Sequence, residues 1–427
     1  MEKMECINND TGFDGLFGSL LSIYNIHEFR LLFHGPDGCR KYFTMITDLS
    51  EQNNNAIIKQ MIDKDEKLQK MFGTSMSVND FLSDSSKKIK RSIDEIRKLT
   101  KDPIVILPSP GSSLLGIDYD GICKQYDEVL ALNGSYASMT FSESFDGTTV
   151  ELIDWIAPEE RQRKKRSINI LGLNPMTRCK HYFIKEMTKF LESMDIEIIA
   201  CFGCDISIEK IKRSTEATIN ILISREYGIK TAEYYLKKYD VPYVECDNGA
   251  PIGFDSLIDL FEQLSNKLGI FCNIPVKEIT DVRKQAYCHL LKRNFDNSIG
   301  KINYAISGDT SIVLPLVKWL YDSFSLKPCS ITINQFDKAD CPESIKKVLM
   351  ESDCFEKLDA PRPNTLDLLF SDRNYDKIIH VTGGCKTFVG LDSFSSNTVD
   401  LLDRPLLGLQ GSKYILDTVM NINPIKP

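Results

Sequence analysis

The sequence predicts an α/β protein built from several parallel sheets. Short β-branched runs alternate with longer segments of helical periodicity from about residue 100 onward, and each run is nearly continuous in apolar residues before ending at Gly, Asn or Asp. Runs of that kind suit strands buried on both faces that feed helix N-termini, as in sheets crossed by helices. The length of 427 residues exceeds what one ordinary core organises and is enough for two or three domains.

The strand runs are IVILP (104–108), INILGLN (168–174), IEIIACFG (196–203), INILIS (219–224), INYAISGD (302–309), SITIN (330–334) and KIIHVTGG (377–384). Between them, HYFIKEMTKFLESM (181–194), IKTAEYYLKKY (229–239) and SIVLPLVKWLYDSF (311–324) space their apolar residues as helices do. Composition breaks at APEERQRKKRS (157–167) and at NKLGIFCNIPVKEITDVRKQ (266–285), where a long helix leads out of the second unit. These breaks divide the chain into doubly wound domains over residues 1–160, 161–270 and 271–427. The polar stretch SEQNNNAIIKQ (50–60) reads as a surface loop.

Composition narrows the function. Hydrophobic residues at 42% and charged residues at 26% are those of a soluble globular protein, and a net charge of -8 argues against a nucleic-acid partner held by a broad basic field. The basic run RQRKKR reads as a solvated linker or a docking patch for an acidic partner. No secretory signal and no membrane-spanning run is evident, so a cytoplasmic protein is expected. Thirteen cysteines in such a chain are not a disulfide framework; most are expected to be buried small hydrophobes.

The most informative segment is LLFHGPDGCRKYF (31–43). An apolar run ends at His34, Gly35-Pro36-Asp37-Gly38 make a tight turn, and Cys39 opens a helical segment. A thiolate near a helix N-terminus is stabilised by unpaired amide N–H groups, which favours metal ligation. A turn with an incidental cysteine is the plainer alternative.

HGPDGC resembles the cluster-binding turn of the nitrogenase component 1 family, whose members include dark-operative protochlorophyllide reductase and the tetrapyrrole reductase of coenzyme F430 synthesis. DFLSDSSKKIKRSIDEI (80–96), PIVILPSPGSSLLGIDYD (103–120) and FSESFDGTTVEL (141–152) resemble later motifs of the family's first domain. GCDISIEKIKRSTEATINILIS, YYLKKYDVPYVE, APIGFDSL and the closing LLDRPLLGLQGSKYILDTVMN continue in family order. The resemblance implies three Rossmann-like domains with parallel sheets around a central cleft. It also implies a [4Fe–4S] cluster shared at a subunit interface, pairing with a homologous subunit as a homo- or hetero-dimer or tetramer, and electron delivery by an ATP-dependent iron–sulfur reductase of the nitrogenase Fe-protein type.

The departures from the family are as telling. Of the three cysteines such subunits usually offer a cluster, the second matches Cys39. The first falls on Thr11, with Cys6 five residues upstream as a replacement and with Asp10 and Asp14 close by. The third falls on Pro110. The expected cluster ligands are therefore Cys39 and Cys6, either both joined by the same two residues of a symmetric partner, or Cys39 alone joined by three cysteines of a different chain. The thiolate that holds the nitrogenase metal cofactor falls on Ser224, and its imidazole falls near Thr398 in a stretch without histidine. A soft cofactor needs those donors, so that cofactor is not expected.

Other features carry less. Cys201 and Cys204 form C-F-G-C; two thiolates at that spacing chelate zinc or act as a redox pair, but without a second pair they read as packing. HVTGGC (380–385) reads as a strand end, with His380 and Cys385 either lining a pocket or turning the chain. GDTS (308–311) is expected to offer backbone N–H groups to an anion. No G-x-x-x-x-G-K-[ST] is present, so ATP hydrolysis belongs to the reductase partner. The sequence thus points to a nitrogenase-like oxidoreductase subunit that is not a true nitrogenase, with a cofactor-assembly scaffold or a cluster-poor supporting subunit as alternatives.

Overall fold

The computed structural model describes residues 14–41, 43–44, 70–81, 84–132, 138–159, 164–204, 206–293, 302–392 and 404–422. Three four-stranded sheets, parallel throughout, follow one another along the chain. The first comprises β1 (Arg30–His34), β2 (Met71–Gly73), β3 (Ile104–Pro108) and β4 (Val129–Ala131), in the order β2-β1-β3-β4. The second comprises β5 (Ser167–Leu171), β6 (Glu197–Cys201), β7 (Ile219–Leu222) and β8 (Tyr243–Glu245), in the order β6-β5-β7-β8. The third comprises β9 (Tyr304–Gly308), β10 (Ser330–Ile333), β11 (Leu366–Ser371) and β12 (Cys385–Gly390), in the order β10-β9-β11-β12. In each sheet the order reverses between the first and third strands, and there the crevice at the carboxyl ends of the strands opens.

The helices follow the same rhythm. The first unit carries α1 (Gly15–Tyr24), α2 (Val78–Phe81), α3 (Ser86–Leu99), α4 (Pro110–Ser113), α5 (Tyr119–Cys123) and α6 (Phe141–Ile156). The second carries α7 (Lys180–Glu192), α8 (Ile208–Ser214), α9 (Arg225–Tyr239) and α10 (Phe254–Leu268). After α11 (Asn273–Arg293), the third carries α12 (Thr310–Phe324), α13 (Glu343–Glu351) and α14 (Asn374–Val381), and the chain closes with α15 (Gly408–Met420).

Six of the seven strand runs read from the sequence are strands here. The seventh is not. KIIHVTGG spans the C-terminal half of α14 and the turn after it, while LDLLFS and CKTFVG form β11 and β12 on either side. A four-residue apolar run suits a half-buried helix as well as a strand, and sequence periodicity does not separate them.

The units are fused, not merely tethered. One apolar core joins the first and second sheets, with Phe17, Phe33 and Phe145 in the same cluster as Phe202 and Tyr235. A second core joins the second and third sheets, from Ile168 and Phe190 through Phe254 to Trp319 and Phe370. In the first unit α1 and α6 touch backbone to backbone. A Cβ on Gly18 would stand 2.1 Å from the Phe141 carbonyl oxygen. The hydroxyls Ser19–Ser144 (2.6 Å), Ser19–Thr148 (2.7 Å) and Ser22–Thr149 (2.9 Å) pair across that contact.

Buried carboxylates tie one unit to the next by accepting from helix amides. Asp146 of α6 accepts from Lys230 N (2.7 Å), Thr231 N (3.0 Å) and Thr231 Oγ1 (2.6 Å) of α9. Glu226 of α9 accepts from Ser311 N (2.8 Å) at the start of α12. Glu186 of α7 accepts from Leu409 N (2.6 Å) and Gln410 N (3.0 Å) of α15.

Candidate functional site

The first crevice is built from the exits of β1 and β3. His34 pairs with Pro108 in register, so the turn after β1 and the turn after β3 leave the sheet side by side. His34 is fully buried and its ring is held at Nδ1 by Thr74 Oγ1 (2.9 Å), with Ser85 Oγ 3.5 Å from Nε2. Burial pushes its pKa down to about 4, against the upward pull of Asp80. A neutral, pinned imidazole matches the structural hydrogen-bonding role more closely than a proton donor's.

Gly35 is required where it stands. A Cβ there would lie 2.8 Å from the Ser109 side chain and 2.7 Å from the Phe33 ring. Its carbonyl accepts from Met76 N (2.9 Å), while Ser109 N (2.8 Å) and Ser112 Oγ (2.8 Å) donate to the His34 carbonyl. Residues 37–41 are helical, so Cys39 sits in the first turn of that helix and not at its opening. Asp37 pairs with Arg40 (2.8 Å) and Lys41 (3.2 Å), which hold its carboxyl below the usual range. Phe43 is buried against the rings of Phe33 and Phe17, with centroids at 5.4 and 6.3 Å. The turn is thus anchored on all sides while the Cys39 thiol itself is exposed.

The remaining expected ligand positions fare differently. Cys6, Asp10 and Thr11 lie outside the described residues. Asp14 is committed as the N-cap of α1, where its Oδ1 accepts from Phe17 N (3.0 Å). Pro110 is the first residue of α4, a position that needs no N–H and suits the fixed φ of proline. Among the described residues no three of His, Cys, Asp and Glu come together to hold a metal ion. On its described residues, therefore, this chain does not complete a four-ligand cluster, whereas a single exposed thiol suits a ligand set shared with another chain. On the face formed by α2 and the end of α4, Leu114 is 85% and Val78 78% exposed, and Phe81 lies against Gly111. An open concavity of about 620 Å³, walled by Asp84, Ser86, Lys90, Gly116 and Gln125 among others, lies next to this face and does not include Cys39.

The second crevice is closed by backbone. Ser224, at the position expected for a cofactor thiolate, is buried as the N-cap of α9. Gly172 and Gly228 let the strand exit and the helix approach so closely that a Cβ on Gly228 would be 2.5 Å from the Gly172 Cα. Thr398 lies outside the described residues.

The third crevice gathers Asp309 of the GDTS motif with polar groups that no motif of the sequence singles out. Asp309 follows β9 and Asp372 follows β11, and Asn334 Nδ2 donates to both, at 3.0 and 2.6 Å. Tyr227 Oη, from α9, donates to Asp309 (2.7 Å), and Gln335 Nε2 donates to it as well (2.8 Å). Burial, and then the Asp309 charge, raise the carboxyls of Glu226 and Asp372 above their usual range. The signal that could find them is an Asp directly after a strand in a parallel sheet, and it is hidden at Asp372 because β11 is not legible as a strand by its own run.

This crevice also corrects one expectation and decides between two alternatives for another. The amides at GDTS are not open to an outside anion: Glu226 takes Ser311 N and Gln335 Oε1 takes Thr310 N (2.9 Å). His380 and Cys385 stand at the amino end of β12, opposite the crevice. The His380 Nδ1 lies 2.9 Å from the Cys385 carbonyl oxygen, and its ring stacks on Phe388, so these residues turn the chain and line no cleft at the carboxyl edge.

Residues 15–422 match the family described as nitrogenase component 1 type oxidoreductase. The chain belongs to that family. A light-independent protochlorophyllide reductase subunit of Pyropia yezoensis is 20% identical over 391 residues, covering 86% of this chain and 76% of that protein. The nitrogenase iron-molybdenum cofactor biosynthesis protein NifE of a Nostoc species is 23% identical over 266 residues, covering 59% and 50%. A solved structure of "Nitrogenase Cp1 at pH 6.5" superposes with a TM-score of 0.73 at 16% identity, over 95% of this chain and 90% of that one. The three parallel sheets are thus the nitrogenase component 1 fold. No helix among the described residues is long and apolar enough to cross a membrane.

Proposed function

We propose that this chain is one subunit of a nitrogenase-like oxidoreductase, taking electrons from an ATP-dependent iron–sulfur reductase of the Fe-protein type and passing them to a substrate in the cleft between its domains. The observation that carries the reading is the HGPDGC turn, anchored at the crevice of the first sheet with the Cys39 thiol exposed. A [4Fe–4S] cluster held by Cys39 together with thiolates of a homologous subunit, with Cys6 as this chain's second candidate ligand, would supply single-electron transfer. The chain's own part is positional. His34, Thr74, Ser109 and Ser112 fix the turn. In this reading residues 1–160, 161–270 and 271–427 are the domains that wall the cleft, and the protein works in the cytoplasm. Ser224 offers a hydroxyl where a soft cofactor needs a thiolate, so dinitrogen is not the proposed substrate.

A second reading is favoured by two observations. Pro110 stands where a third cysteine is expected, and one relative is a cofactor biosynthesis protein. On that reading the chain is an assembly scaffold or a cluster-poor supporting subunit. Iron and acid-labile sulfide content, with electron paramagnetic resonance, on anaerobically purified protein alone and with any co-purifying subunit, separates these readings. About four irons per dimer and a reducible signal support electron transfer. Absence of iron in every such preparation would refute it in favour of the supporting role.

A further inference from the structure

Packing alone does not account for the C-F-G-C segment. Cys201 ends β6 half-buried, Cys204 is buried, and neither is in a disulfide. The chain doubles back between them: Phe202 and Cys204 form an isolated bridge, and Gly203 turns with φ +95°. No other residue fits at that corner, because a Cβ on Gly203 would stand 1.8 Å from the Leu173 carbonyl oxygen. The fold thereby brings the two cysteines, three residues apart, to one corner. Cys204 and burial push the Cys201 thiol up, and the charges of Lys180 and Lys210 partly offset this. Elsewhere the exposed cysteines Cys39 and Cys288 belong to separate elements, the turn after β1 and α11.

We propose that Cys201 and Cys204 form a closable dithiol, a reversible modification site that converts to an intramolecular disulfide on exchange with a small disulfide such as oxidised glutathione. Cys201 Sγ, as the thiolate, attacks one sulfur of the oxidant, breaks its S–S bond and releases one thiol. Cys204 Sγ then attacks Cys201 Sγ, forms the protein S–S bond and releases the second thiol. The protein loses two electrons and two protons, and the two released thiols carry them away. Cys201 is the entry point because it is the more exposed of the two, and Cys204, three residues on across the Gly203 corner, gives the second step a high effective concentration. Closure acts at the seam between units. Two residues on, Ile206 N donates to the Asn25 carbonyl (2.9 Å) and His27 N donates to the Ile206 carbonyl (3.0 Å), tying this loop to the segment that enters β1.

The test is to treat the folded, full-length chain with oxidised glutathione, block remaining thiols by alkylation, and map the cysteines by mass spectrometry. The peptides bearing Cys201 and Cys204 should lose two hydrogens as one disulfide and carry no lasting glutathione adduct. Exposed Cys39 and Cys288 should carry adducts in the same sample and so report that the oxidant acted. Cys204→Ser should trap the adduct on Cys201. If both thiols stay fully alkylatable while Cys39 reacts, or if wild-type protein holds a stable adduct at Cys201, the dithiol assignment is wrong.

Discussion

Asp146→Ala tests the claim that buried carboxylates weld the units together. Asp146 is 1% exposed and accepts three hydrogen bonds from α9, two from backbone amides and one from the Thr231 hydroxyl. Hydrogen bonds to a charged group contribute roughly 1.5–3 kcal/mol each, but removing the acceptor also removes the cost of burying its charge. That cost is real here, since burial outweighs all three donors and holds the carboxyl above its usual range. The net loss expected is about 3–5 kcal/mol, the range for breaking a buried charged partner. Taking the first two units as the cooperative block, that is on the order of a 10 °C fall in melting temperature, read by differential scanning calorimetry. Asp146→Asn, which turns one N–H donor toward another, should lose about half as much. The raised carboxyl sets the pH dependence. The folded state binds the proton more readily than the unfolded chain, so this residue's contribution grows as pH falls through its raised value. It levels off below about 3.9, the unfolded value. A change under about 1 kcal/mol for Asp146→Ala would mean that α9 recloses its own hydrogen bonds and that the weld is not needed.

Further expectations concern the turn and the helix contact. His34 titrates near 4 when folded, against about 6.5 unfolded, so its stabilisation is complete above 6.5 and is lost as pH falls toward 4, roughly 3 kcal/mol in all. His34→Gln should flatten that part of the urea stability profile, and an unchanged slope would contradict the assignment. Gly18→Ala forces a methyl into the α1–α6 contact and should cost about 3 kcal/mol, measurable by the same calorimetry; a neutral result would show that the helices can separate freely. Cys39→Ala should abolish iron binding in anaerobic preparations while far-ultraviolet circular dichroism is unchanged, because the thiol is exposed and supports no packing. Full iron retention would remove Cys39 from the ligand set.

What the sequence determined by itself was the local grammar. β3, β5, β7 and β10 were legible because a parallel strand covered on both faces must be apolar throughout, and that pattern survives without any partner in view. The HGPDGC turn was legible because its glycines and proline answer to backbone geometry within a few residues. Only the tertiary structure decided what depends on distant neighbours. KIIH became helix because β11 and β12, not the run itself, complete the third sheet. The α12 amides were closed to outside anions because Glu226, 85 residues earlier, reaches them first. Cys201 and Cys204 came to share one corner because Gly203 turns against Leu173. In each case a short-range preference is worth a few tenths of a kcal/mol to about one, and burial of a charge or of a whole apolar face outweighs it.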